Sequence, residues 1–383
     1  MATNATGEEH GLAPARALVT IPLLTRWSAT ALIGLLPATL LLVLVLVVVS
    51  AGRHGSDFAT FWGSGRAVLA GRSPYPPLSS LPQQAHRLSF LPFVYPPVAA
   101  FSIVPFSLLP FAAANVLFLL ANLASVALAL RLLSVADWRC YAAAFASAPV
   151  FAAASMGTIS PLLLLGVAAL WRYRNRASRA GLLVAYAVTA KLFLWPLWLW
   201  LLRTRRFAAA GIAAATAVAA VAGTWAVIGF AGAGSYLHLL ARLTGLVGPN
   251  SYSLYALERS FGLSGSTAEL TLFGVAVAGA AVASVTVSGE RQLLIAALTI
   301  SLLATPILWP HYLVLLFAPI ALVRPRLSPL WIAPLLCWFD TAAWSDGNPL
   351  RIVLLLALSL AVLAATTRLA SPRAAAVTPL RAA

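Results

Sequence analysis

Apolar runs long enough to cross a hydrocarbon layer follow one another along nearly the whole chain, from Trp27 to Thr367. The stretch from Phe111 to Leu133 carries a single charged side chain, Arg131. About 20 such residues in a helix rise roughly 30 Å, the thickness of a bilayer core. Charged residues make up only 9% of the chain, against roughly 25% in soluble domains. The expected fold is therefore all-α, a polytopic membrane helical bundle of about 12 spans. One multispan domain covers residues 27–367, with outer loops near 52–93 and 231–267. A leader over residues 1–26 precedes it, and a basic tail over residues 368–383 follows.

The formal charge is +16. The arginines lie in short loops between apolar runs and not on one solvated face, so they read as topology signals and not as a nucleic-acid surface. Cys140 and Cys337 fall in or beside different apolar runs and form no CxxC pair or disulfide framework. The first run, Trp27 to Ser50, is longer than the roughly 7–15 residue core of a cleaved signal peptide and reads as an uncleaved span.

Applied loop by loop, the positive-inside rule places the leader, the tail and the loops at Arg131–Arg139, Arg172–Arg179, Arg291 and Arg324–Arg326 in the cytoplasm. The spans between them are Phe111 to Leu133, Tyr141 to Ser155, Ile159 to Trp171, Phe207 to Phe230, Glu269 to Ser288, Leu293 to Trp309, Tyr312 to Val323, Pro329 to Trp344 and Ile352 to Thr367. One apolar run resists the alternation. It joins the cluster Arg172, Arg174, Arg176 and Arg179 to the cluster Arg203, Arg205 and Arg206, and it is interrupted by Lys191 and Pro196. A broken hairpin would keep both clusters inside. Two arms of about eleven residues would each rise about 16 Å and carry Lys191 to depth, where it must line a polar cavity. The alternative is one tilted span with a snorkelling lysine.

Acids are scarce, which helps elimination. Glu8, Glu9, Asp137 and Glu290 fall beside the inner arginines. Asp346 sits in the turn Ser-Asp-Gly-Asn, and Asp340 lies near the outer end of a span, where it reads as hydrated. Asp57, Glu258 and Glu269 remain. Asp57 opens SDFATFWGSGRAVLAGRSPYPP, which reads as an amphipathic helix on the outer membrane surface. In FVYPPVAAFSIVPFSLLP, prolines bracket an apolar stretch too short to span, which reads as a second juxtamembrane or re-entrant helix.

These segments resemble glycosyltransferase family 87, of the GT-C superfamily of multispan transferases. The resemblance rests on the acid after the first span, the aromatic helix ending Gly-Arg-Ser-Pro-Tyr, and the Tyr-Pro-Pro before a short helix ending Leu-Leu-Pro. It continues through MGTISPLLLLG, where Thr158 stands for the family's usual Gln, and VTAKLFLWP, with its Lys-Pro break. PNSYSLYALERSFG and ATPILWPHYLVLLFAP, which contains Trp309 and His311, complete the series. Each piece alone is a weak signal; the run of them in order, from about Asp57 to Pro319, is specific.

The resemblance implies a transferase at the outer face of the cell membrane, and the arginine reading puts both termini in the cytoplasm. It would move a sugar, mannose being the first expectation and arabinofuranose the alternative, from a polyprenyl-phosphate donor to a lipid-linked or glycan acceptor, with inversion. The chemistry needs one carboxylate to take the acceptor proton and cations to hold the leaving phosphate. No Asp-x-Asp pair demands a metal, and no cofactor is expected. His54, His86 and His238 share no metal-ligand spacing.

Asp57 is the expected general base, against a plain helix cap. Lys191 would hold the donor phosphate, against snorkelling. His311 would hydrogen-bond phosphate or sugar, against an interfacial polar role. Arg259 would clamp phosphate. Asn250 and Ser251 would contact sugar, against ordinary turn chemistry. Tyr95 is an outer candidate for sugar contact, though with its prolines it also reads as shaping the helix entry. A transporter or flippase would also explain the spans and a buried lysine, but it predicts inverted repeats and midplane acids, and neither is visible.

Overall fold

The computed structural model describes residues 55–82, 91–340 and 344–371. The leader, the first predicted span, His54, His86 and the tail beyond Ser371 lie outside the described residues.

All regular structure among the described residues is helical, as the composition predicts. The chain opens with α1 (Ser56–Leu69), then the short helices α2 (Pro97–Ser102) and α3 (Val104–Ser107). Among the described residues, four helices are long and apolar enough to cross a membrane: α4 (Phe111–Leu132), α10 (Phe207–Val227), α13 (Gly265–Thr286) and α17 (Pro349–Leu369). The remainder is shorter: α5 (Trp138–Phe145), α6 (Ala148–Met156), α7 (Ser160–Tyr173), α8 (Ala177–Ala190), α9 (Pro196–Arg203), α11 (Tyr236–Val247), α12 (Leu254–Ser260), α14 (Glu290–Leu303), α15 (Phe317–Val323) and α16 (Pro329–Ile332). Three-ten turns over Pro310–Leu316 and Ala333–Phe339 continue two of the runs.

Several runs expected to be straight spans are therefore broken segments. Proline explains much of this, since it cannot donate to the helix ladder and is tolerated at a first turn. Prolines sit at the starts of α6, α7, α9, α16 and both three-ten turns. The predicted pair Tyr141–Ser155 and Ile159–Trp171 becomes α5, α6 and α7, with a bend of 119° between α6 and α7.

The corner between α6 and α7 turns on Gly157, at φ +69°, a conformation costly for residues with a Cβ. A Cβ there would also stand 2.6 Å from Phe58 Cβ, so the corner packs directly on α1. Phe58 in turn stacks on Phe118 at 4.6 Å between ring centroids. Next to it, the Gly55 amide donates to the Ser155 carbonyl at 3.0 Å. The start of α1 is thus held from two sides.

The puzzling run around Lys191 folds back on itself. Arg206, beyond α9, donates to the Arg174 carbonyl at 2.8 Å and to Asn175 Oδ1 at 2.9 Å, both just before α8. A Glu290 carboxylate oxygen lies 3.0 Å from Arg174 Nε and 2.6 Å from Arg206 Nη2. The two ends of the segment are together, the arrangement expected of a broken hairpin with both arginine clusters at one end. The arms are unequal, 14 residues in α8 and 8 in α9. Lys191 is extended at the break and Pro196 begins the second arm. The first arm alone rises about 21 Å. It packs closely along α10, where Gly181 leaves no room for a Cβ against the Ala209 carbonyl at 2.7 Å.

Other loop contacts join segments that the arginine reading places on the same side. Asp137 accepts from the Leu327 amide at 3.0 Å, and Gln292 donates to the Thr367 carbonyl at 3.0 Å. At the opposite pole of the alternation, Ser73 donates to the Ala231 carbonyl at 3.0 Å, and the Tyr236 hydroxyl to the Val94 carbonyl at 2.9 Å.

Candidate active site

Asp57, Thr60 and Phe61, from the first turns of α1, line one cavity together with Tyr95, Trp309 and Tyr312. The cavity is partly open and small, about 80 Å³. Its other walls are apolar, including Leu243 and Val247 from the end of α11. Tyr95 is placed by stacking on Phe61 at 4.8 Å, and its carbonyl accepts from the Tyr75 hydroxyl at 2.7 Å. Thr60 Oγ1 donates to the Leu91 carbonyl at 2.7 Å, which ties α1 to the strip before Tyr95.

Asp57 does not cap its helix. The N-cap is Gly55, and Asp57 sits one residue inside the first turn with its carboxyl facing the cavity. Burial pushes that carboxyl above the ordinary range for an aspartate, and the Lys191 ammonium partly offsets the rise.

Lys191 comes from the hairpin tip and is 4% exposed. Its ammonium donates to the Tyr312 hydroxyl at 2.6 Å and lies 3.8 Å from the Tyr312 ring centroid and 5.2 Å from that of Tyr95. No carboxylate lies within ion-pair distance of it among the described residues. It is therefore not a snorkelling surface lysine but a cation held between two rings of the cavity wall. Phe193, two residues on, stacks on Tyr312 at 5.0 Å and locks the arrangement.

His311 is fully buried beside Tyr312, with ring centroids 4.8 Å apart. Neither ring nitrogen has a hydrogen-bond partner among the described residues. It stands behind the wall and does not line the cavity.

The remaining candidates are elsewhere. Arg259 donates to the Leu263 carbonyl at the end of α12 and is absent from the cavity wall. Ser251 is fully buried, with its hydroxyl 2.8 Å from the Gly248 carbonyl and 2.9 Å from Ser253 Oγ. Asn250 offers its carbonyl to the Ser345 amide at 2.8 Å. Ser253 caps α12 through the Ala256 amide. These residues build the loop before α12, which is their turn-forming role, and the structure does not bring them to Asp57.

Asp340 also differs from expectation. It is not hydrated: its side chain is 2% exposed and lies 3.0 Å from Arg351 Nη2. Sequence reasoning also missed Tyr312, although it stands beside His311 in the Trp-x-His-Tyr run. Among the described residues no group of His, Cys, Asp and Glu side chains could hold a metal ion.

The sequence pattern of glycosyltransferase family 87 matches residues 93–319, more than half of the chain. The chain belongs to glycosyltransferase family 87. No curated protein and no solved structure matches it. The matched stretch of this family 87 chain includes Tyr95, Trp309 and Tyr312 of the cavity wall, and Lys191 and His311 behind it. Asp57 lies upstream of it, and its place in the site rests on geometry.

Proposed function

We propose that this glycosyltransferase transfers a sugar, mannose, from a polyprenyl-phosphate donor to the hydroxyl of a lipid-linked or glycan acceptor in the Asp57 cavity. The cavity would open at the outer face of the cell membrane, with both termini and the arginine clusters in the cytoplasm and a GT-C type arrangement of spans. The observation that carries the reading is an acid on an aromatic-walled cavity whose Tyr312 is bonded from behind by the chain's only lysine.

Asp57 takes the proton from the acceptor hydroxyl as its oxygen bonds to the anomeric carbon. The bond from that carbon to the phosphate oxygen breaks on the opposite face. The electron pair leaves with the lipid phosphate, so the configuration inverts. A carboxyl raised by burial is a stronger base when ionised, which suits proton transfer near neutral pH. Lys191 spends one of its three N–H donors on Tyr312 and has two for phosphate oxygens. Charge gained by the leaving phosphate would strengthen those contacts in the transition state. His311, unbonded behind Tyr312, adds a donor if the wall shifts on binding. Arg259, Asn250 and Ser251 are left with supporting roles in the outer loop.

The test is a donor panel with purified protein in lipid: polyprenyl-phosphate mannose, polyprenyl-phosphate arabinofuranose and a sugar nucleotide. Transfer from the first is expected. Transfer from the second alone would replace mannose by arabinofuranose, and transfer from the nucleotide alone would contradict the lipid-phosphate reading.

A further inference from the structure

Three segments distant in sequence meet behind Trp309. The Tyr252 amide donates to the Leu308 carbonyl at 2.8 Å, immediately before Trp309. The Tyr252 hydroxyl donates to Asp340 Oδ2 at 2.7 Å and reaches the Trp344 carbonyl at 3.3 Å. Arg351 Nη2 lies 3.0 Å from Asp340 Oδ1, and Arg351 Nη1 lies 3.5 Å from the Trp344 carbonyl. The Trp344 ring meets the Trp309 ring edge-on, with centroids 5.1 Å apart at 69°. Trp309 lines the Asp57 cavity; Tyr252, Asp340, Trp344 and Arg351 do not.

Asp340 is buried and Arg351 half-buried; desolvation of the carboxylate offsets much of the attraction, and the best-attested use of such a pair is to fix geometry. Here the two oxygens of Asp340 engage different partners, and both partners also reach the same carbonyl. The output of the arrangement is the placement of Trp344, and through it of Trp309.

We infer that Asp340, Arg351 and Tyr252 are positioning residues that set the Trp309 wall of the substrate cavity and thereby govern how tightly the sugar substrate is held. The inference rests on the cavity being the substrate site. Loosening the wall weakens ground state and transition state alike, so it raises KM and leaves kcat nearly unchanged.

Tyr252→Phe, Asp340→Asn and Arg351→Met are compared alone and in a Trp309→Phe background. Transfer kinetics are read with polyprenyl-phosphate mannose, and the Trp309 resonance is read by fluorine NMR of 5-fluorotryptophan-labelled protein, assigned by its loss in Trp309→Phe. Tyr252→Phe removes one hydroxyl only and serves if a charge variant fails to fold. Each single variant is expected to move the Trp309 resonance and to raise KM roughly 3- to 30-fold with kcat within about 3-fold, and the KM effect should disappear in the Trp309→Phe background. An unmoved resonance, or KM effects that simply multiply with that of Trp309→Phe, overturns the inference. If the resonance moves but the wild type uses no lipid-phosphate sugar, the network stands as a device for placing Trp309, while the substrate reading fails.

Discussion

At the scale of single residues, the site depends on two charges that shape each other. Asp57 is raised by burial and lowered by Lys191. A protonated Asp57 cannot take a proton, so turnover falls as pH drops through its raised pKa. The acid limb of the rate profile should lie above the roughly 3.9 of a free aspartate. Lys191→Met removes the lowering influence, so the limb should move to still higher pH. A charge-assisted contact to phosphate contributes about 1.5–3 kcal/mol, so the same variant should lose roughly tenfold to a hundredfold in kcat/KM. A limb unmoved in Lys191→Met would show that the two groups do not sense each other. Asp57 and Lys191 were legible in the sequence because charges are rare in this chain and each rare one had to be explained. Tyr312 and Asp340 were not. The hydroxyl of Tyr252 reaches Asp340 across 88 positions, and a single sequence carries no trace of that pairing.

At the scale of elements, the site is assembled by breaks. The corner at Gly157 positions Phe58, whose neighbour is Asp57. Gly157→Ala combines a strained φ with a clash, so it should cost about 1–3 kcal/mol of stability and lower turnover by displacing α1. A full-strength enzyme with unchanged thermal stability would refute that coupling. Arginine clusters at both ends of the Lys191 run pointed to the hairpin, and proline explained where the second arm starts. The unequal arms were not legible, because length alone does not say how far a tip travels between its neighbours. Glu290 clasps the two ends through Arg174 and Arg206. Glu290→Ala should loosen the hairpin and expose Lys191, read as faster reaction of its amine with a small acylating reagent. An unchanged rate would mean that packing of α8 along α10 suffices.

For the whole molecule, the all-helical architecture of the described residues was legible from composition and run length, because lipid leaves few other ways to bond a backbone. The number of spans was less so, since short segments broken by proline count as runs in sequence yet do not cross as single helices. Sidedness belongs to this scale. With Cys140 and Cys337 both buried, cysteines introduced at Arg176 and Arg205 can be read separately. Both should be labelled only from the cytoplasm. Labelling of either from outside would break the hairpin topology and put the cavity on the wrong face. Asp57 is proposed as the base of a sugar transfer in the cavity beside Lys191. The direct measurement is turnover of Asp57→Asn beside donor binding, since the substitution keeps shape and polarity and removes only the ability to accept a proton. Donor binding should stay near normal while turnover falls by about 10²–10⁴-fold; wild-type turnover in this variant would rule Asp57 out as the base.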